Sequence, residues 1–284
     1  MTTGFNSLPN IMIEPLVRNA LAEDVGMSGD VTSRSVVPYQ TRWQARMVAR
    51  GAGVVSGMQI ADLTFRLVDP EIEPRIVLPD GSPCAPGDLL MEIEGRAQSL
   101  LLAERVALNF AGRMSGIASL TALFVAETKG TSSRIACTRK TTPGLRIVEK
   151  QAVIHGGGHP HRYGLSDAIL IKDNHIAAAG GVRAVLDAAH EVVSHMMRIE
   201  IEVDTLSQLE EVLDAGGADV VLLDNMDIET ICKAVEIVGQ RMVTEASGNM
   251  RLDRIASVAA TGVDYISVGA LTHSAPSLDL GLDF

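Results

Sequence analysis

IEIEVDTLSQLEEVLDAGGADVVLLDN, residues 199–225, decides the fold of this chain. A short β-rich run, Ile199–Val203, is followed by a helical pattern over 206–215. A second β-rich run follows at Val220–Leu223. Strand, helix, strand at this spacing marks a parallel sheet. The same rhythm extends both ways. Further β-rich runs lie at Ile135–Cys137, Ala168–Ile171, Met242–Thr244 and Tyr265–Val268. Between them fall helical patterns near 143–153, 181–195, 228–239 and 252–260. Six strands fall short of the eight that close a barrel, so the spacing predicts an open, incomplete α/β barrel over residues 116–270.

Upstream the rhythm is absent. Residues 10–25 read as a helix, and GMSGDVTSRSV reads as a loop whose Thr and Ser side chains can cap or bind. Residues 42–56 and 72–94 are β-rich and broken by Pro-Asp-Gly and Ala-Pro-Gly-Asp turns, with a helix over 58–67 between them. Residues 1–115 are therefore expected to be an α+β domain. A long apolar helix over 97–129 follows, which Gly112 and Gly116 either divide or open to a close neighbour. Arg105 sits among its apolar positions and needs a partner, either an acidic side chain or an anionic ligand. Residues 271–284 are too short for a domain and are expected to return to the first one.

Charge narrows the function. The 284 residues carry a formal charge of −11, yet Arg134–Lys172 holds seven Lys or Arg against two acidic residues. A cationic island in an acidic chain reads as a pocket for a small anion, with a solvated basic loop as the alternative, because a nucleic-acid binder is usually basic over a whole face or domain. No apolar run is read as a membrane span, and the N-terminal 21 residues show no cationic-then-apolar export pattern. Cys84, Cys137 and Cys232 are far apart and are expected to be buried, reduced thiols of a cytoplasmic protein.

In parallel α/β folds, functional groups gather past the C-terminal strand ends. Here those positions read Thr138-Arg139-Lys140, Lys172-Asp173-Asn174-His175, Glu202-Val203-Asp204, Asp224-Asn225, Ser247-Gly248-Asn249 and Gly269-Ala270. Arg139, Lys140, Arg162 and Lys172 can hold carboxylates. Glu202 and Asp224 can hold Mg²⁺, directly or through water, or bind ribose hydroxyls. The two glycine turns can cradle a phosphate with backbone N–H groups, although glycine also serves plain tight turns. His155, His159 and His161 have a spacing open to metal. Arg162 beside them and the Gly156–Gly158 run argue instead for a loop that approaches a ligand, with His161 as a donor to an anion. Two other functions fit part of this pattern. One is a barrel aldolase with Lys172 as Schiff-base amine, and the other is a binding module that does not turn over.

TRKTTPGLR (138–146), HGGGHPHRYGLSDAILIKDNHI (155–176), EVDTL (202–206), LLDN (222–225), EASGNM (245–250) and ISVGALTHSAPSLDLGLDF (266–284) resemble the quinolinate phosphoribosyltransferases. LAEDVG, GDVT and AERVALNF extend the likeness through nearly the whole chain. ModD-like proteins of molybdenum gene clusters share part of the pattern. The resemblance implies an N-terminal α/β sandwich, an open barrel of about six strands, and a homodimer or larger assembly. It implies transfer of phosphoribose from phosphoribosyl pyrophosphate to quinolinate with loss of CO₂, in NAD biosynthesis, with Mg²⁺. Arg105 would reach quinolinate from the neighbouring subunit. Arg139, His161, Arg162 and Lys172 would hold its carboxylates, with Thr138 nearby. Lys140, Glu202 and Asp224 would meet phosphoribosyl pyrophosphate and its Mg²⁺. Ser247, Gly248, Asn249, Gly269 and Ala270 would take the 5′-phosphate, with His273 close by. Lys140, Lys172, Glu202 and Asp224 are the expected catalytic residues.

Overall fold

A computed structural model describes residues 7–284; the first six residues of the stretch read for export signals lie outside it. The chain divides into two compact units. The first contains residues up to 122, 141–157 and 271–284; the second contains 123–140 and 158–270.

The first unit starts with α1 (Asn10–Val25), α2 (Val31–Val36), β1 (Arg42–Ala49), β2 (Gly53–Val54) and α3 (Met58–Val68). It continues through β3 (Arg75–Ile76), β4 (Pro83–Cys84), β5 (Leu89–Arg96) and the long α4 (Ala97–Ala126). α2 occupies the stretch read as a loop. Asp30 Oδ1 accepts from the Ser33 N–H at 2.9 Å and caps its first turn. The capping side chain is Asp30 rather than the Thr or Ser read for that role, and it starts a helix. β1 and β5 pair antiparallel from Arg42↔Arg96 to Val48↔Leu89, with an irregularity at Met47/Val48. β1, β5, β3 and the C-terminal β12 (Leu280–Asp283) form one four-stranded sheet, with Met47 opposite Leu282. One face of this sheet packs on α3 and α4. Leu100, Ala103, Ala107 and Ala111 recur at three- and four-residue intervals along α4 and join Met47, Phe65, Leu90 and Met91 in the core. Phe65 is fully buried, and truncating it to Ala removes a contact worth about 3–5 kcal/mol.

α4 is a single helix, undivided at Gly112 and Gly116. It is long and apolar enough to cross a membrane by length and composition, which the sequence reading did not register. Most of its apolar window is buried inside the protein. Its two glycines admit backbone. A Cβ on Gly116 would lie 1.9 Å from the Pro276 carbonyl oxygen, and one on Gly112 would lie 2.9 Å from that of Leu278. The Leu278 N–H donates to Gly112 O at 2.9 Å. The tail therefore crosses directly over the helix before it reaches β1.

By sequence the first domain ends at residue 115 and regains only the 271–284 tail, as it does here, which assigns α5 (Arg146–His155) to the barrel. In the structure 141–157 lies in the first unit. The reason is buried charge. Glu149 is 0% exposed; it accepts Arg113 Nη2 at 2.8 Å and the Thr142 hydroxyl at 2.7 Å. His155 Nδ1 lies 2.7 Å from the buried Ser56 hydroxyl, and Gln151 Nε2 lies 3.0 Å from its Nε2. α5 is tied to the first unit by these buried polar contacts, which burial makes costly to leave unmade.

The second unit is an open α/β barrel. Its strands are β6 (Arg134–Ala136), β7 (Ile169–Ile171), β8 (Ile199–Val203), β9 (Val220–Asp224), β10 (Val243–Ser247) and β11 (Tyr265–Ser267). They are all parallel, in the order β6-β11-β10-β9-β8-β7. The helices are α6 (Asp173–Ala179), α7 (Val182–Val192), α8 (Leu206–Ala215), α9 (Ile228–Val238) and α10 (Leu252–Ala259); the one-turn α11 (Ala270–His273) follows β11, and its last three residues belong to the first unit. α6 was not anticipated, because Asp173-Asn174-His175 reads as a strand-end turn. Capping sets these helices where the sequence places them. Thr205 and Gln208 exchange bonds at 3.2 Å to begin α8, and Asp227 accepts the Thr230 N–H at 2.8 Å to begin α9. Among the cysteines, Cys84 and Cys137 are buried, whereas Cys232 is exposed. Its neighbour Ile231 takes the inward position on α9, so Cys232 faces solvent.

Candidate active site

Two-residue periodicity places the chemistry. On β8, Ile199, Ile201 and Val203 alternate with Glu200 and Glu202, so the two carboxylates share a face. Register aligns Glu202 with Leu222 and Leu222 with Glu245. One step further, Asp224 is aligned with Ser247. A ladder of acidic groups therefore climbs one face of the sheet to its C-terminal edge.

At that edge Lys172 caps the start of α6, and its backbone N–H donates to His175 Nδ1 at 2.8 Å. Its Nζ donates to Glu202 Oε2 at 2.6 Å. Asp224 accepts from the Asn225 side-chain amide at 2.5 Å. Thr138 Oγ1 accepts the Lys140 N–H at 3.1 Å, which turns the chain after β6 and leaves the Lys140 side chain exposed. Arg162 Nη1 donates to Ala168 O at 3.1 Å. Burial, and then the nearby charge of Arg139, hold the Arg162 guanidinium below its ordinary value; it remains a cation at any physiological pH. The Nε atoms of Arg139 and Arg162 are both buried without a hydrogen-bond partner. Two such donors on neighbouring guanidiniums are what a dicarboxylate would satisfy.

The histidines separate. His155 belongs to the first unit, as described. His159 stands edge-on to Tyr265 with ring centroids 6.0 Å apart; burial, and then Arg134, push its imidazole below the usual range. His161 Nδ1 accepts the Arg162 N–H at 2.8 Å, while its Nε2 faces Glu200 at 3.0 Å and Glu245 at 3.5 Å. The expected donor to an anion is thus engaged by protein on both ring nitrogens. His161, Glu200 and Glu245 bring their ligand atoms within 4.8 Å of one another, a cluster that the sequence reading missed. The alternation in IEIEV and in VTEAS carried the signal: Glu200 and Glu245 occupy the same faces as Glu202 and Ser247.

The remaining expected residues lie as follows. Ser247, Gly248 and Asn249 form the turn after β10, with Gly248 and Asn249 in the left-handed region at φ 94° and 48°. Gly269 and Ala270 follow β11 and lead into α11. His273 ends that turn of helix, and its Nδ1 lies 2.7 Å from the Ser274 hydroxyl. Arg105 does not share the burial of its apolar neighbours. Its side chain is 64% exposed on α4, and its nearest acidic group is Glu104 at 3.9 Å. The half-buried arginine of that helix is Arg113, held by Glu149. Arg105 falls between the buried positions Ala103, Val106 and Ala107, so it turns outward.

Comparison with known proteins settles the kinship. The N-terminal domain family of quinolinate phosphoribosyl transferase matches residues 30–115, and the C-terminal domain family matches 117–283. This chain belongs to the quinolinate phosphoribosyltransferase family. A probable nicotinate-nucleotide pyrophosphorylase [carboxylating] of Bacillus subtilis (strain 168) is 40% identical over 96% of this chain and 94% of its own length. The chloroplastic nicotinate-nucleotide pyrophosphorylase [carboxylating] of Arabidopsis thaliana is 40% identical over 97% of this chain and 84% of its own. Among solved structures, NadC from Streptococcus pyogenes superposes with TM-score 0.94 at 39% identity, covering 98% of each chain. As a member of this family, the chain carries its two-domain architecture in full.

Proposed function

We infer that this protein transfers phosphoribose from phosphoribosyl pyrophosphate to quinolinate with decarboxylation, yielding nicotinate mononucleotide, pyrophosphate and CO₂, a step of NAD biosynthesis. The observation that carries the reading is the pair of buried, unpartnered Nε atoms of Arg139 and Arg162, beside an edge lined by Lys172, Glu202, Asp224 and Ser247. The family membership of the whole chain supports it.

The chemistry follows from charge. Both substrates are anions, so cations must bring them together. Arg139 and Arg162 take the ring carboxylates, with Thr138 and Lys172 beside them. The pyridine nitrogen then attacks ribose C1 as the C1–O bond to pyrophosphate breaks. Positive charge develops on the sugar, and Glu202 and Asp224 stabilise it. Once the ring nitrogen is quaternary, it stabilises the electron pair left at ring C2 as the C–CO₂ bond breaks; a proton then joins C2. Lys140 would balance the leaving pyrophosphate. Ser247, Gly248, Asn249, Gly269 and Ala270 would receive the 5′-phosphate. The hard oxygen donors of Glu202 and Asp224 fit Mg²⁺, held through water, which would neutralise the diphosphate. His161 acts from behind, since Arg162 N–H and Glu200 already occupy its nitrogens. The proposed assembly is a homodimer or larger, with Arg105 contributed in trans; its exposure is what such a contribution requires. A cytoplasmic location goes with this reading.

The aldolase reading loses its footing at Lys172. A Schiff-base amine works from an apolar or cationic setting, whereas this amine is ion-paired with Glu202 at 2.6 Å. The test is direct. Purified protein, quinolinate, phosphoribosyl pyrophosphate and Mg²⁺ should yield nicotinate mononucleotide and CO₂ in equal amounts. No product, or borohydride trapping of a carbonyl substrate on Lys172, overturns the reading.

A further inference from the structure

Among the described residues, the non-glycine residues with positive φ are Asn225, at 55°, and Asn249, at 48°. Left-handed backbone costs a non-glycine residue about 1 kcal/mol or more, and such residues gather where a site needs a fixed shape. These two stand at the C-terminal ends of β9 and β10, adjacent parallel strands. They also touch: Asn249 Nδ2 lies 3.5 Å from Asn225 Oδ1.

Asn225 is engaged on every side. Its backbone N–H donates to Ser247 O at 3.0 Å. Its side-chain amide donates to Asp224 Oδ2 at 2.5 Å. Its Oδ1 packs into the space that only a glycine at 248 leaves open, since a Cβ there would lie 2.2 Å from that oxygen. Behind it, Arg254 donates to Met226 O at 2.6 Å and to Gly248 O at 3.4 Å, tying the same two turns from the other side. Asparagine suits this post because it tolerates the left-handed region and offers a donor and an acceptor on one short side chain.

We propose that Asn225 is a positioning residue: it locks the Asp224 carboxylate and the Ser247-Gly248-Asn249 turn into one rigid piece, and so sets the affinity for phosphoribosyl pyrophosphate. This rests on the function proposed above. Asp224 and the turn are the groups that would meet the ribose and its 5′-phosphate. Freed from Asn225, they must be ordered by the substrate itself, which weakens binding. Quinolinate, held by Arg139 and Arg162, is spared.

Two variants test it. Asn225→Gly keeps the backbone conformation and deletes the clamp. Asn225→Asp keeps the acceptor facing Gly248 but replaces the donor to Asp224 with a like charge. Both should raise KM for phosphoribosyl pyrophosphate by about tenfold or more, with KM for quinolinate within about twofold. Inorganic phosphate should raise the Tm of the wild-type protein, and this shift should shrink in Asn225→Gly, whose own Tm should move by only a few degrees because relief of the left-handed strain offsets part of the lost hydrogen bonding. A merely structural residue would lower Tm and kcat without separating the two KM values. A wild-type enzyme that makes product, alongside Asn225→Gly with unchanged KM for phosphoribosyl pyrophosphate, overturns the clamp alone. A wild-type protein that makes no nicotinate mononucleotide overturns the function on which it rests.

Discussion

Gly116→Ala sets two opposing effects against each other, and their sizes decide the sign. Replacing a mid-helix glycine with alanine ordinarily stabilises a helix by about 1 kcal/mol. Here the new Cβ would lie 1.9 Å from Pro276 O and 2.9 Å from Pro276 C, where real contacts stay beyond 3.0 Å. The tail must retreat by at least about 1.1 Å, the difference between 1.9 and 3.0 Å, and it is backbone, without a rotamer to escape into. Overpacking of this kind costs about 1–3 kcal/mol. The retreat also strains the Leu278 N–H bond to Gly112 O and the Arg113 bond to Ala275 O, both 2.9 Å, each worth about 1 kcal/mol. Net destabilisation is about 2–4 kcal/mol, or a Tm lowered by roughly 5–15 °C for a unit of this size. Differential scanning calorimetry reads the shift, and limited proteolysis should show earlier loss of the C-terminal residues. Gly112→Ala, with its nearest contact at 2.9 Å, should come out close to neutral. A Tm for Gly116→Ala at or above wild type would mean that the tail does not cross α4 as described.

Three further outcomes are expected. Arg139→Ala and Arg162→Ala should each raise KM for quinolinate by about 10- to 100-fold, the worth of a charge-assisted hydrogen bond, and leave Tm within a few degrees; unchanged kinetics in both would remove them from the site. Asp69, 2% exposed, accepts Arg96 Nε at 2.8 Å and Ser99 Oγ at 2.8 Å, and Arg96 holds its carboxyl below the usual range. Its stabilisation is therefore present above the ordinary carboxylate pKa and lost as pH falls through the lowered one. Asp69→Asn should cost about 3 kcal/mol in urea unfolding at pH 7, and the gap should narrow as pH falls below the ordinary carboxylate range; a gap independent of pH would refute the assignment. Mixing Arg105→Ala with Lys172→Ala subunits should restore part of the activity if Arg105 serves a neighbouring site. Confirmed subunit exchange without recovery would count against it.

The six parallel strands, their C-terminal edge and the residues gathered there were legible in the sequence. Strand propensity, helix periodicity and capping pairs such as Thr205–Gln208 are local, and local rules survive without coordinates. The quinolinate phosphoribosyltransferase motifs were legible for a similar reason, because they are contiguous runs at strand ends. What lay outside the sequence depends on who meets whom. The outward turn of Arg105, the burial of Glu149 against Arg113, and the His161–Glu200–Glu245 cluster each join residues from distant segments. So do the passage of the tail over Gly116 and the clasp of Asn225 on the next strand's turn. Burial and ion pairing are properties of neighbours, and only the folded chain chooses those.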